Sequence, residues 1–119
     1  MSTIRFRTAF HIGEDLDSLI SFYTEAMGLK LKFRDGSRWA EFQLGDGRFA
    51  LGSPEEAPAG MRSGAVSVFQ VTELDVLLEK VAHAGGTVLD VRDMGTHGRV
   101  ATLLDPAGTV FQALELAAK

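Results

Sequence analysis

Apolar and polar side chains take turns at the start of the chain. Ile4, Phe6, Phe10 and Ile12 alternate with Arg5, Arg7, Ala9 and His11. A period of two predicts a half-buried strand with its apolar set turned toward a covering layer. Asp15 then opens a segment in which Leu16, Leu19, Ile20, Tyr23 and Met27 recur at helical spacing. A carboxylate suits the unpaired N–H groups of a helix start, and Gly28 can stop the helix because it accepts a left-handed backbone. Leu29, Leu31 and Phe33 alternate with Lys30, Lys32 and Arg34, which predicts a second strand whose basic residues face away from the helix. A turn follows at residues 35–37. Over residues 38–44, Ala40, Phe42 and Leu44 take the helix side and Trp39, Glu41 and Gln43 the other. Gly45-Asp46-Gly47 predicts a tight hairpin, and residues 48–52 a fourth strand.

Residues 53–64 carry two of the three prolines and two glycines, the composition of a linker. After it the order restarts: a strand at 65–71, an amphipathic helix at 74–84, a stop at Gly85-Gly86, and strands at 88–92, 99–104 and 110–116. The offset that lays Asp15 on Glu73 also lays Leu19 on Leu77, Ile20 on Leu78, Gly28 on Gly86 and Leu31 on Leu89. The expected fold is therefore α+β, with a βαβββ module at 3–52, a linker at 53–64 and a second module at 65–116. Each module has one sheet face under its helix. Two modules that cover each other's remaining faces frame a ligand cleft.

The 119 residues suit one domain with a real core. A net charge of −4 with no basic run argues against nucleic acid and anionic membrane as partners. Cysteine is absent, which removes thiolate metal sites and cysteine nucleophiles. No signal peptide or membrane span is legible, so a cytoplasmic protein is expected. Neither a phosphate-binding loop nor a GxSxG elbow is present.

Three segments carry a family resemblance: DLDSLISFYTEAMGL at 15–29, ELDVLLEKVAHAGG at 73–86 and HGRVATLLDPAGTVFQALEL at 97–116. With the repeated βαβββ order, the chain resembles the vicinal oxygen chelate superfamily, which includes glyoxalase I, bleomycin-resistance proteins, extradiol dioxygenases and fosfomycin-resistance enzymes. The resemblance implies a homodimer and four cleft-facing slots that hold a divalent ion in the metal-dependent members. Counting back from Ile12 puts the first slot on Arg7, and counting from Asp15 puts it on Thr8; the strand alternation favours Arg7. The others fall on Ala50, Val66 and Gln112. A guanidinium does not ligate, and Ala and Val have no donor atom, so no metal and no other cofactor is expected.

The helix-free faces would offer Arg7, His11, Trp39, Glu41, Ala50, Val66 and Gln112 to a ligand, and the resemblance implies that the glycine-flanked loop with Met94 and His97 lies near the cleft mouth. One large aromatic among apolar walls and scattered polar groups suits a partly planar small molecule. The expected function is metal-free binding of an aromatic compound for sequestration, carriage or resistance. The alternative is a metal-free enzyme in which His11, Glu41 or His97 transfers a proton.

Overall fold

In a computed structural model of the chain, which describes residues 3–58 and 60–118, Asp15 starts the first helix as its sequence suggests. The Asp15 carboxylate accepts the Ser18 backbone N–H at 3.1 Å, and that bond, with one from the Ser18 hydroxyl, holds its pKa below the ordinary value. The helix closes at Gly28, whose φ of +68° lets Leu29 N–H reach the Tyr23 carbonyl at 3.1 Å.

The elements follow in order: β1 (Ile4–Ile12), α1 (Leu16–Glu25), β2 (Lys30–Asp35), β3 (Trp39–Leu44), β4 (Gly47–Gly52), β5 (Gly64–Val71), α2 (Leu74–His83), β6 (Thr87–Asp93), β7 (Arg99–Leu104) and β8 (Val110–Glu115). Short 3-10 turns lie at Pro54–Glu56 and Gly95–His97. The expected βαβββ order thus occurs twice in an α+β fold. None of the helices described is long and apolar enough to cross a membrane.

The chain divides into two units, Thr8–Val66 and the described residues up to Arg7 with those from Ser67 onward. In the Thr8–Val66 unit the strand order is β2-β3-β4-β1, with β1 parallel to β4 and the other pairs antiparallel. Leu16, Leu19, Ile20 and Tyr23 of α1 pack on Ala40, Phe42, Phe49 and Leu51. Burial of a side chain such as Phe42 stabilises the unit by about 2–3 kcal/mol.

The other unit has the order β5-β8-β7-β6. Leu74, Leu77, Leu78 and Val81 of α2 pack on Ala101, Leu103 and Ala113. Here the repeat diverges from its sequence. Glu73 makes no capping bond; instead Glu115 of β8 accepts the Leu74 N–H at 2.9 Å and the Arg99 guanidinium at 2.9 Å, while Arg99 also reaches Asp75 at 3.1 Å. The left-handed glycine after α2 is Gly85, at φ +93°, and Gly86 N–H closes on the Val81 carbonyl. Gly28 therefore corresponds to Gly85, one position from the match that the offset predicts.

Two further expectations about strand faces are corrected. His11 lies on the α1 side, where its Nδ1 shares a 2.8 Å hydrogen bond with the Tyr23 hydroxyl and its ring meets Phe49 edge-on. Phe10 correspondingly packs on Trp39, on the helix-free side. In β2 the register shifts between Leu31 and Phe33, so Lys32 is an extra, bulged residue. Beyond it Phe33 stands opposite Glu41 on the helix-free face, while Arg34 turns to α1 and pairs with Asp17 at 2.6 Å. β6 carries the same irregularity between Val88 and Asp90.

Candidate functional site

The helix-free face of the Thr8–Val66 unit reads as a grid, because paired residues share a face. One row is Asp35, Trp39, Gly52 and Ile12; the next is Phe33, Glu41, Ala50 and Phe10. Below them Gln43 stands opposite Arg48. Ala50 and Gly52, the small residues along β4, are buried, and the Trp39 indole lies over Gly52.

Trp39 dominates it. The indole packs against Phe10 with ring centroids 5.0 Å apart, and its Nε1–H donates to Glu41 Oε2 at 3.0 Å. Trp39 and Glu41 are half-buried, whereas Phe10 and Ala50 are buried. One bond to a carboxylate and one ring contact fix the orientation of the only tryptophan in the chain. Thr8, also buried, directs its hydroxyl to the Arg48 carbonyl at 3.2 Å. The hydroxyl of Ser53, which follows Gly52 at the far end of β4, is the one buried side-chain polar atom among the described residues that has no hydrogen-bond partner.

Of the residues expected to line a site, this face therefore brings together Trp39, Glu41 and Ala50. His11 is on the opposite face. Val66 is buried at the end of the same unit. The remaining four belong to the other unit. Arg7 Nη1 donates to Gln70 Oε1 at 2.5 Å, and Gln112 Nε2 donates to the Thr102 hydroxyl at 3.2 Å. Met94 is half-buried, with its N–H on the Gly98 carbonyl at 2.7 Å, and His97 is exposed in the 3-10 turn. Phe10, Phe33 and Gly52 were missed as site residues. The first two were assigned to the helix side by simple alternation.

The four slots implied by the family resemblance, taken one by one, do not fit a divalent ion. Ala50 and Val66 have no donor atom, and the guanidinium of Arg7 is a cation. Thr8, the other choice for the first slot, directs its hydroxyl to backbone carbonyls, which leaves the Gln112 amide oxygen as the one donor of the four, since Nε2 of that amide donates to Thr102. Among the described residues no group of three or more His, Cys, Asp or Glu side chains is arranged to hold a metal.

The repeated βαβββ order and the surface left free by each helix define a class of proteins in which one scaffold carries many small-molecule sites. Residues 8–113 match the family model described as the Glyoxalase/Bleomycin resistance protein/Dioxygenase superfamily. The chain belongs to this superfamily. An uncharacterised protein of Mycolicibacterium smegmatis is 32% identical over 96 residues, which span 80% of this chain and 79% of that protein. Among solved structures, a hypothetical protein of Bacillus halodurans superposes with a TM-score of 0.75 at 16% identity, over 98% of this chain and 97% of the other. Methylmalonyl-CoA epimerase of Mycobacterium tuberculosis gives 0.73 at 17% identity, over 95% and 88%. A superfamily member from Vibrio splendidus gives 0.69 at 16% identity, over 95% and 99%. At these identities the three structures speak for the fold alone.

Proposed function

We propose that the chain binds a small, partly planar aromatic molecule on the helix-free face of the Thr8–Val66 unit, without a metal ion. The observation that carries this reading is the placement of Trp39. Its indole is oriented by Glu41 and Phe10 yet remains half-buried on a face that α1 does not cover. A fixed aromatic plane beside small residues is what a flat ligand needs for stacking. Binding alone suffices for sequestration, carriage or resistance, because each bound molecule is withdrawn from its target by mass action. We place this activity in a cytoplasmic homodimer, with neither nucleic acid nor membrane as partner.

A screen of aromatic natural products by thermal shift and Trp39 emission tests the reading. A true ligand changes the emission saturably, and Trp39→Ala weakens its binding by about 1–3 kcal/mol while the fold persists. If Trp39→Ala unfolds the chain and no compound alters emission, Trp39 is a core residue and the proposal fails. The enzymatic alternative keeps one supporting observation, the Glu41 carboxylate on the same face; His11 is bonded to Tyr23 on the other. Ligand recovered chemically unchanged after long incubation would exclude that alternative.

A further inference from the structure

The bulge at Lys32 brings a third aromatic ring, beside Trp39 and Phe10, to the proposed site. Beyond it Phe33 lies directly opposite Glu41 and is 45% exposed, an unusual exposure for a phenylalanine that α1 was expected to cover. The next residue, Arg34, lies on the helix side, where it pairs with Asp17. Glu41 is thus flanked by Phe33 across the strand pair and by Trp39 two residues back along β3. Trp39 Nε1–H occupies Oε2 of this carboxylate, and among the described residues no Lys, Arg or His lies within ion-pair distance of Glu41.

We propose that the site selects a cationic aromatic ligand, a ring bearing a protonated amine or quaternary ammonium group, which Glu41 holds between Trp39 and Phe33. This rests on the aromatic-binding reading above and names its ligand class. A carboxylate between two ring systems attracts a cation in two ways. The charge provides direct Coulomb attraction, and the ring faces add the quadrupole attraction that is largest for tryptophan. The net charge of −4 works in the same direction at longer range. Arg48 and Lys30 are the cations on this face that oppose the assignment. They stand one row away on either side of Gln43, whose amide donates to the Gly45 carbonyl at 2.5 Å, so that row is polar and basic rather than aromatic.

Three probes of matched ring size separate the possibilities: benzyltrimethylammonium, benzyl alcohol and phenylacetate, each titrated against Trp39 emission with the full-length protein. The expected order is cation, then alcohol, then anion, with the cation favoured over the alcohol by roughly tenfold. Glu41→Gln should remove that preference. Phe33→Ala should reduce it by about threefold, with only a small drop in melting temperature because the ring is nearly half exposed. Equal binding of all three probes overturns the cation assignment and leaves the aromatic-binding reading intact. So does tightest binding of phenylacetate that is lost in Arg48→Ala. If no probe changes the emission and the natural-product screen is also silent, both readings fail.

Discussion

Gly52 lies directly across the β3–β4 pair from Trp39, and a Cβ built on it would meet Trp39 Cζ3 and Phe10 Cδ2, each at 3.2 Å. The absence of a side chain at 52 is therefore what lets the indole lie across β4 and touch Phe10. Gly52→Ala needs the two rings to yield by a few tenths of an ångström. Gly52→Val adds two more methyl groups where those rings already crowd. The valine variant is expected to lose about 1–3 kcal/mol of stability through overpacking, to shift the tryptophan emission and to lose aromatic binding. Chemical denaturation followed by fluorescence measures the first two together. An unchanged emission maximum in Gly52→Val would show that the indole does not lie over this residue.

Purified protein is expected to carry no stoichiometric divalent ion, because Ala50, Val66 and either candidate for the first slot give no metal-binding donor set. Elemental analysis decides this directly. About one Ni, Zn, Mn or Fe per chain, removed by chelator with loss of ligand binding, would refute metal-free binding.

Glu115 offers a pH test. The Leu74 N–H is the main cause that holds its carboxyl below the ordinary value of 4.5, with the Arg99 bond and charge acting in the same direction against partial burial. A depressed folded-state pKa contributes stability that is full above the unfolded value and is lost as pH falls through the folded one. The folding free energy of the native chain should accordingly decline below about pH 4.5 in part through this residue. Glu115→Gln should show a shallower decline, and Glu115→Ala should cost about 1–2 kcal/mol at neutral pH by uncapping α2. Urea titrations from pH 3 to 7 give both values. Parallel curves for native and Gln variants would remove Glu115 from the acid response.

The proposed homodimer is checked by light scattering across working concentrations. A dimer mass that holds on dilution to micromolar protein is expected for an interface of standard size. A monomer mass throughout would count against the proposed assembly.

Much of the architecture was legible because it depends on local chemistry. Helical spacing from Leu16 to Tyr23, an acidic cap at Asp15 and a glycine stop define α1 wherever it packs. The alternation at 39–44 placed Trp39 and Glu41 opposite Ala40 and Phe42, as observed, because that strand buries one set against α1 and leaves the other half-exposed. The doubled pattern and the DPAG segment before the last strand likewise placed the chain in its superfamily.

What the tertiary structure alone decided is which way β1 and the far half of β2 face, and what caps α2. In the last residues of β1 both faces are largely covered: Phe10 and Ile12 are buried on the helix-free side, while His11 is accepted on the α1 side because Tyr23 supplies its hydrogen bond. An apolar–polar alternation assigns faces only where one of them is wet. In β2 the bulge at Lys32 reverses every later side chain, and the contact that accompanies it, Arg34 with Asp17, joins a strand residue to the preceding helix. Glu115 reaches Leu74 across a still longer separation. Period and composition report the preferences of neighbours along the chain. These pairings are set by which partners the folded backbone brings within hydrogen-bonding reach.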